Sequence, residues 1–78
     1  MDNTYWMEKA IDKINSLETG VVFYLKDLFD GVEWKELPVG DRLGFGKYFK
    51  NEILENSVPS VRYFGKAQNN SAQYIKGE

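Results

Sequence analysis

The sequence predicts an α+β fold running helix, strand, short helix, longer helix and β-hairpin, with a small antiparallel sheet. Three observations carry this reading. Two segments place apolar residues three and four positions apart, the spacing of an amphipathic helix. The run Val21-Val22-Phe23-Tyr24-Leu25 is β-branched and aromatic, and too short for a helix. Near the end of the sequence, Val61–Lys66 and Ser71–Lys76 flank the turn-forming Ala67-Gln68-Asn69-Asn70.

Each element has its own cause. In the first helix, expected over residues 4–18, Trp6, Met7, Ala10, Ile11, Ile14 and Leu17 form one stripe, with Glu8, Lys9, Asp12 and Lys13 facing solvent. Asn3 or Thr4 can supply the N-cap oxygen, and Gly20 suits the left-handed position that ends a helix. The strand at 21–25 comes next. Asp27 could cap a short helix that carries Leu28 and Phe29 inward, interrupted by Gly31. Val32 to Leu37 reads as a compact helical turn directing Val32, Trp34 and Leu37 to the core. Pro38 opens a helix reaching about Asn56, since the first turn tolerates its missing N–H. Phe45, Phe49 and Ile53 recur every four residues as the buried stripe of that helix. Gly46 beside them implies close approach of another backbone, because a mid-helix glycine costs about 1 kcal/mol against alanine. The outer face then holds Lys47, Lys50, Asn51 and Leu54, flanked by Gly44 and Tyr48. A two-residue turn at Asn69-Asn70 would set Phe64 opposite Ile75 and Lys66 opposite Gln73, with Val61, Tyr63 and Tyr74 on the other face. Alternation alone does not say which face is core.

Composition narrows the chemistry. Seventy-eight residues fit one domain, 1–78, and a net charge of −2 with 42% hydrophobic residues is foreign to a disordered tail. Cysteine and histidine are absent, which removes disulfides, thiolate and imidazole catalysis, Cys/His zinc sites and haem ligation by these residues. No apolar run is long enough to span a membrane, and Met1-Asp2-Asn3-Thr4 lacks the basic flank of a signal peptide, so a cytoplasmic setting is expected. Asp27 and Asp30 fall short of an EF-hand loop, and Gly40…Gly44-Phe45-Gly46-Lys47 lacks the strand that precedes a phosphate loop. The expectation is no enzyme, no cofactor and no metal. Charge is unevenly laid out: residues 1–41 carry nine acids against four lysines, and residues 42–78 six bases against three acids. A basic second half suits an anionic partner, although the isoelectric point is acidic and dedicated DNA binders are usually basic.

The order of elements resembles the winged helix-turn-helix, in which the second and third helices form the helix-turn-helix and the hairpin is the wing. A closer likeness rests on Leu25-Lys26-Asp27-Leu28-Phe29, Trp34, Leu37-Pro38, Arg42, Phe45-Gly46-Lys47, Phe49 and the stretch Gly65-Lys66-Ala67-Gln68-Asn69-Asn70-Ser71-Ala72-Gln73-Tyr74. From about Leu17 onward the chain resembles a family of small uncharacterised proteins of low-GC Gram-positive bacteria and their phages. That family implies no chemistry. The winged-helix resemblance implies binding of double-stranded DNA, as in a transcriptional regulator, and is an analogy of fold.

On this reading the nucleic-acid-binding residues are Lys47, Lys50 and Asn51 on the third helix and Arg62 and Lys66 on the hairpin. Ammonium groups suit phosphate or guanine, and a carboxamide can pair with adenine. The competing reading of the same helix is an ordinary solvated face, with Glu52 and Glu55 repelling phosphate; for the hairpin it is plain turn chemistry. Arg42 is expected to pair with an acid among residues 27–36, and Trp34 to anchor the core. Tyr5, Tyr24, Tyr48 and Tyr63 suit either base stacking or protein docking. A homodimer is a further expectation, because a single module covers only roughly 600–1,000 Å² of DNA. The alternative function is a protein–protein interaction module of the same fold that touches no nucleic acid.

Overall fold

A computed structural model describes residues 2–77; Met1, part of the leader reading, and Glu78, part of the charge balance, lie outside the described residues. The fold is α+β. Helix α1 (Asn3–Asn15) leads to strand β1 (Val22–Tyr24), a 3-10 turn (Leu25–Leu28), helix α2 (Gly31–Glu36), helix α3 (Val39–Leu54) and strands β2 (Val61–Lys66) and β3 (Ala72–Lys76). The antiparallel sheet has the order β1-β3-β2, so the strand at 21–25 does join the hairpin.

Helix α1 starts one residue earlier than the sequence suggested. Asp2 is the cap: its carboxylate accepts from the Thr4 and Tyr5 N–H groups at 3.0 and 3.2 Å and sets negative charge against the helix dipole. The helix also stops three residues short. The Lys76 ammonium reaches across from β3 and donates to the Ile14 carbonyl at 2.9 Å and the Leu17 carbonyl at 3.4 Å, holding the last turn from outside. Gly20 does adopt positive φ (93°), but in the turn into β1, where its N–H donates to the Lys76 carbonyl at 2.7 Å.

Asp27 does not open the short helix. It sits inside the 3-10 turn and accepts from the Tyr24 N–H at 2.9 Å. Gly31 begins α2 rather than interrupting it, because the Asp30 carboxylate accepts from Val32 and Glu33 N–H groups at 2.9 and 3.3 Å. Val32 is not a core residue: it is 67% exposed, since Trp34 takes the inward side and a residue two positions away points elsewhere on a helix.

The core gathers Trp6, Met7, Ala10 and Ile14 of α1, Phe45, Phe49 and Ile53 of α3, and Phe23, Val61 and Tyr74 of the sheet, with Leu28 and Val58 between them. Aromatic rings join these layers. Phe29 stacks on Trp34 at 5.1 Å and meets Trp6 edge-on at the same distance, while Phe49 meets Tyr74 edge-on at 4.9 Å. The sheet therefore buries its Val61/Tyr63/Tyr74 face and leaves Phe64 56% exposed.

The hairpin register departs from the two-residue turn. Arg62 lies opposite Ile75, and Lys66 opposite Ala72. A turn closed by the Asn70 N–H to the Ala67 carbonyl at 2.9 Å precedes Asn70 at φ 65°, the left-handed residue of a longer loop. A bulge between Tyr63 and Gly65 (φ 138°) then shifts the register again. Because the two shifts compound, Val61, Tyr63 and Tyr74 still share a face as expected.

Candidate functional site

A groove of about 380 Å³ opens between α3 and the sheet. Helix α3 supplies Arg42, Leu43, Gly46, Lys47 and Lys50 to one wall. Tyr24, Leu25, Lys26 and Trp34, with Ser71, Ala72 and Tyr74 of the hairpin, supply the rest of the lining. The cause is visible in the sequence of α3. Phe45, Phe49 and Ile53 bury one stripe; at roughly 100° per residue Arg42 falls within that stripe, Gly46 at its edge, and Lys50, Leu43 and Lys47 progressively further out. Gly46 admits no neighbouring backbone, contrary to expectation; the nearest atom to a side chain placed there would be Leu25 Cδ2 at 4.0 Å. Its missing side chain instead leaves the groove open above Leu25.

Charge in the groove is of one sign. Lys26, Arg42, Lys47 and Lys50 line it, and no Asp or Glu does. None of the four enters a salt bridge among the described residues, where Lys9–Glu33 is the sole ion pair. Arg42 therefore does not pair with an acid of residues 27–36. Its Nε is buried with no hydrogen-bond partner among the described residues. The Lys50 ammonium lies 4.6 Å from the Tyr63 ring centre, a contact that orients the side chain without neutralising it. Lys26 sits similarly over Tyr24 at 5.6 Å. Tyr74 is 1% exposed, and burial, with a smaller contribution from Tyr63, pushes its phenol up to about 12, so it remains a hydrogen-bond donor at neutral pH.

Of the residues named from sequence, Lys47 and Lys50 line this groove together. Asn51 follows them, exposed, on the outer face of α3. Lys66 is exposed at the end of β2, opposite the groove residue Ala72. Arg62 stands apart: it lies further along β2, away from the groove lining, with its Nη1 donating to Asn56 Oδ1 at 3.5 Å. Glu52 is half-buried about 140° around the helix from Lys47, so it does not oppose the lysines directly. Sequence reasoning missed Lys26 and gave Arg42 the wrong partner. Helical angle puts Arg42 near the Phe45/Phe49/Ile53 stripe at the helix start, which suggests a structural partner; Lys26 needed the position of the 3-10 turn, which local spacing does not supply.

The tyrosines divide by surroundings. Tyr48 stacks on Phe45 at 6.0 Å and Tyr63 packs edge-on to Tyr74 at 5.8 Å, whereas Tyr5 is 50% exposed near Lys9. Trp34 is a half-buried anchor between Phe29 and Trp6, as expected, and also closes the groove. Among the described residues no group of three Asp or Glu side chains is arranged to hold a metal ion, and no helix is long and apolar enough to cross a membrane.

Comparison with curated proteins and with solved structures returns no match. A family profile does match, over residues 8–76, which takes in most of α1, the whole sheet and every wall of the groove. The chain belongs to the family described as Domain of unknown function (DUF1413).

Proposed function

We propose that the protein is a winged-helix-like binder of double-stranded DNA, acting in the cytoplasm as a transcriptional regulator would, with α3 as reader and the β2–β3 hairpin as wing. The observation that carries this reading is the groove wall of Lys26, Arg42, Lys47 and Lys50 with no carboxylate among its lining residues. The element order and the pairing of β1 with β3 agree with it, as does the exposure of Lys47, Asn51 and Lys66. Phosphate contacts from the lysines would set the register and Asn51 would reach a base edge.

A fluorescent duplex titrated between about 50 and 200 mM salt tests this. Affinity falling steeply with salt is the expected result; no binding at low salt, or binding without a salt slope, overturns it.

A second reading has its own observation. Val39, Leu43 and Leu54 are 61%, 70% and 58% exposed on the outer side of α3, an apolar content that suits a protein partner or a second copy of the chain. Capture from lysate separates the two: a specific protein that survives nuclease treatment favours the protein module, and loss of all partners on nuclease treatment favours DNA. Sedimentation with and without duplex decides whether a dimer forms.

A further inference from the structure

The groove is more selective than a charged surface needs to be. Its polar side chains are donors or hydroxyls, and it is deep enough that Tyr74 forms part of its lining while remaining almost wholly buried. The Arg42 Nε is buried with no hydrogen-bond partner among the described residues. The rest of the lining includes Trp34, Tyr24, Leu25 and the bare backbone of Gly46. A volume of about 380 Å³ lies at the small end of organic-ligand sites, room for one ring system and one charged group.

We infer that this groove is a binding site for a small aromatic anion, a flat ring carrying a single phosphate or carboxylate. The anionic group meets the cationic lining of Arg42, Lys47 and Lys50, where a guanidinium can grip two oxygens at once and an ammonium adds a point charge. The ring packs against the lining formed by Tyr24, Leu25 and Trp34, whose carbon surface suits a planar π-system. Duplex backbone alone would use the cations and leave the aromatic wall idle. The inference stands on the groove and does not require duplex binding. Since Lys47 and Lys50 serve both, ligand and duplex compete where both bind.

Amide NMR titrations of the full chain at constant ionic strength test it with four probes: adenosine 5′-monophosphate, benzoate, adenosine and inorganic phosphate. The first two should give saturable shifts at Gly46, Ala72 and the Trp34 indole N–H. Adenosine and inorganic phosphate should bind about tenfold more weakly or worse, because each lacks one half of the recognition. Arg42→Met should weaken adenosine monophosphate about tenfold; Lys47→Met, at an exposed position that folding does not depend on, should do so by a similar factor. Inorganic phosphate or adenosine binding as well as the monophosphate, shifts mapping outside the groove, or an unchanged affinity in Lys47→Met would each overturn the inference. Duplex affinity measured in parallel keeps the two readings apart. Saturable ring-anion binding without duplex binding supports this inference and removes the other, whereas duplex binding without ring-anion binding overturns this one alone.

Discussion

Two grooves of similar size lie on this small protein, and they treat charge in opposite ways. The one between α1 and α2, about 430 Å³, is lined by Lys9, Lys13, Asp12, Asp30 and Glu33. Its charges are largely consumed within the fold. Lys9 donates to both Glu33 carboxylate oxygens at 2.8 Å, which raises the lysine above its ordinary value through that hydrogen bond first, and Asp30 caps α2. The groove between α3 and the sheet holds Lys26, Arg42, Lys47 and Lys50 with no acid to meet them. Mixed charge in the first groove ties elements together. Unmixed charge in the second forms no salt bridge among the described residues, and a lining of one sign attracts counter-charge from solution.

The largest expected effect removes the floor shared by α3 and the sheet. Phe49 is 0% exposed and packs on both Phe45 and Tyr74, so Phe49→Ala should destabilise by about 3–5 kcal/mol in denaturant melts. A loss under about 1 kcal/mol would mean that Phe49 is not packed between α3 and the sheet as described. Next, Lys47→Ala with Lys50→Ala should leave the melt nearly unchanged and lower the salt slope of duplex binding by roughly two, one for each phosphate that is no longer neutralised. An unchanged slope would move the interface elsewhere. The same charge removal at Lys9 and Lys13 should not alter duplex binding; if it did, the contrast between the grooves would fail.

Smaller effects sharpen the structural side. Lys76→Met removes two bonds to the end of α1 and should cost about 1–2 kcal/mol, read as faster amide exchange near Ile14 and Leu17. Tyr74 supplies a pH signature. Its folded-state phenol, at about 12, lies above the unfolded value of 10.0, so the unfolded chain loses that proton first. Stability from this group is complete below pH 10 and declines as pH rises towards 12, where a Tyr74→Phe variant should lose less than the parent. A parent and variant with the same alkaline decline would show that Tyr74 is not buried. Smallest of all is the Lys9–Glu33 pair, half-exposed and screened by salt. Replacing Glu33 by Gln should barely move the melt.

Much of the fold could be read from the chain because its signals are local. The Phe45/Phe49/Ile53 stripe, the β-branched run at 21–25 and the alternating segments after Pro59 each announce one element, and each is found. Reading failed where a distant residue, or one extra residue in a loop or strand, took part. The end of α1 is held by Lys76 from β3, which no window around Asn15 contains. The hairpin slipped because a loop residue at positive φ and a bulge at Gly65 each moved the register by one. The site was half readable for the same reason: Lys47 and Lys50 share one helix, but Lys26 joins them only through the turn after β1.

The contrast between the grooves is tested most directly by mapping a short duplex onto the protein with backbone amide NMR at low salt. Shifts concentrated on Lys26, Arg42 to Asn51 and the hairpin loop at Lys66–Ser71, with α1 and α2 residues Lys9 to Ser16 and Asp30 to Glu33 unmoved, are the predicted result. Shifts centred on the Lys9–Glu33 side, or none at any duplex concentration, would contradict the account.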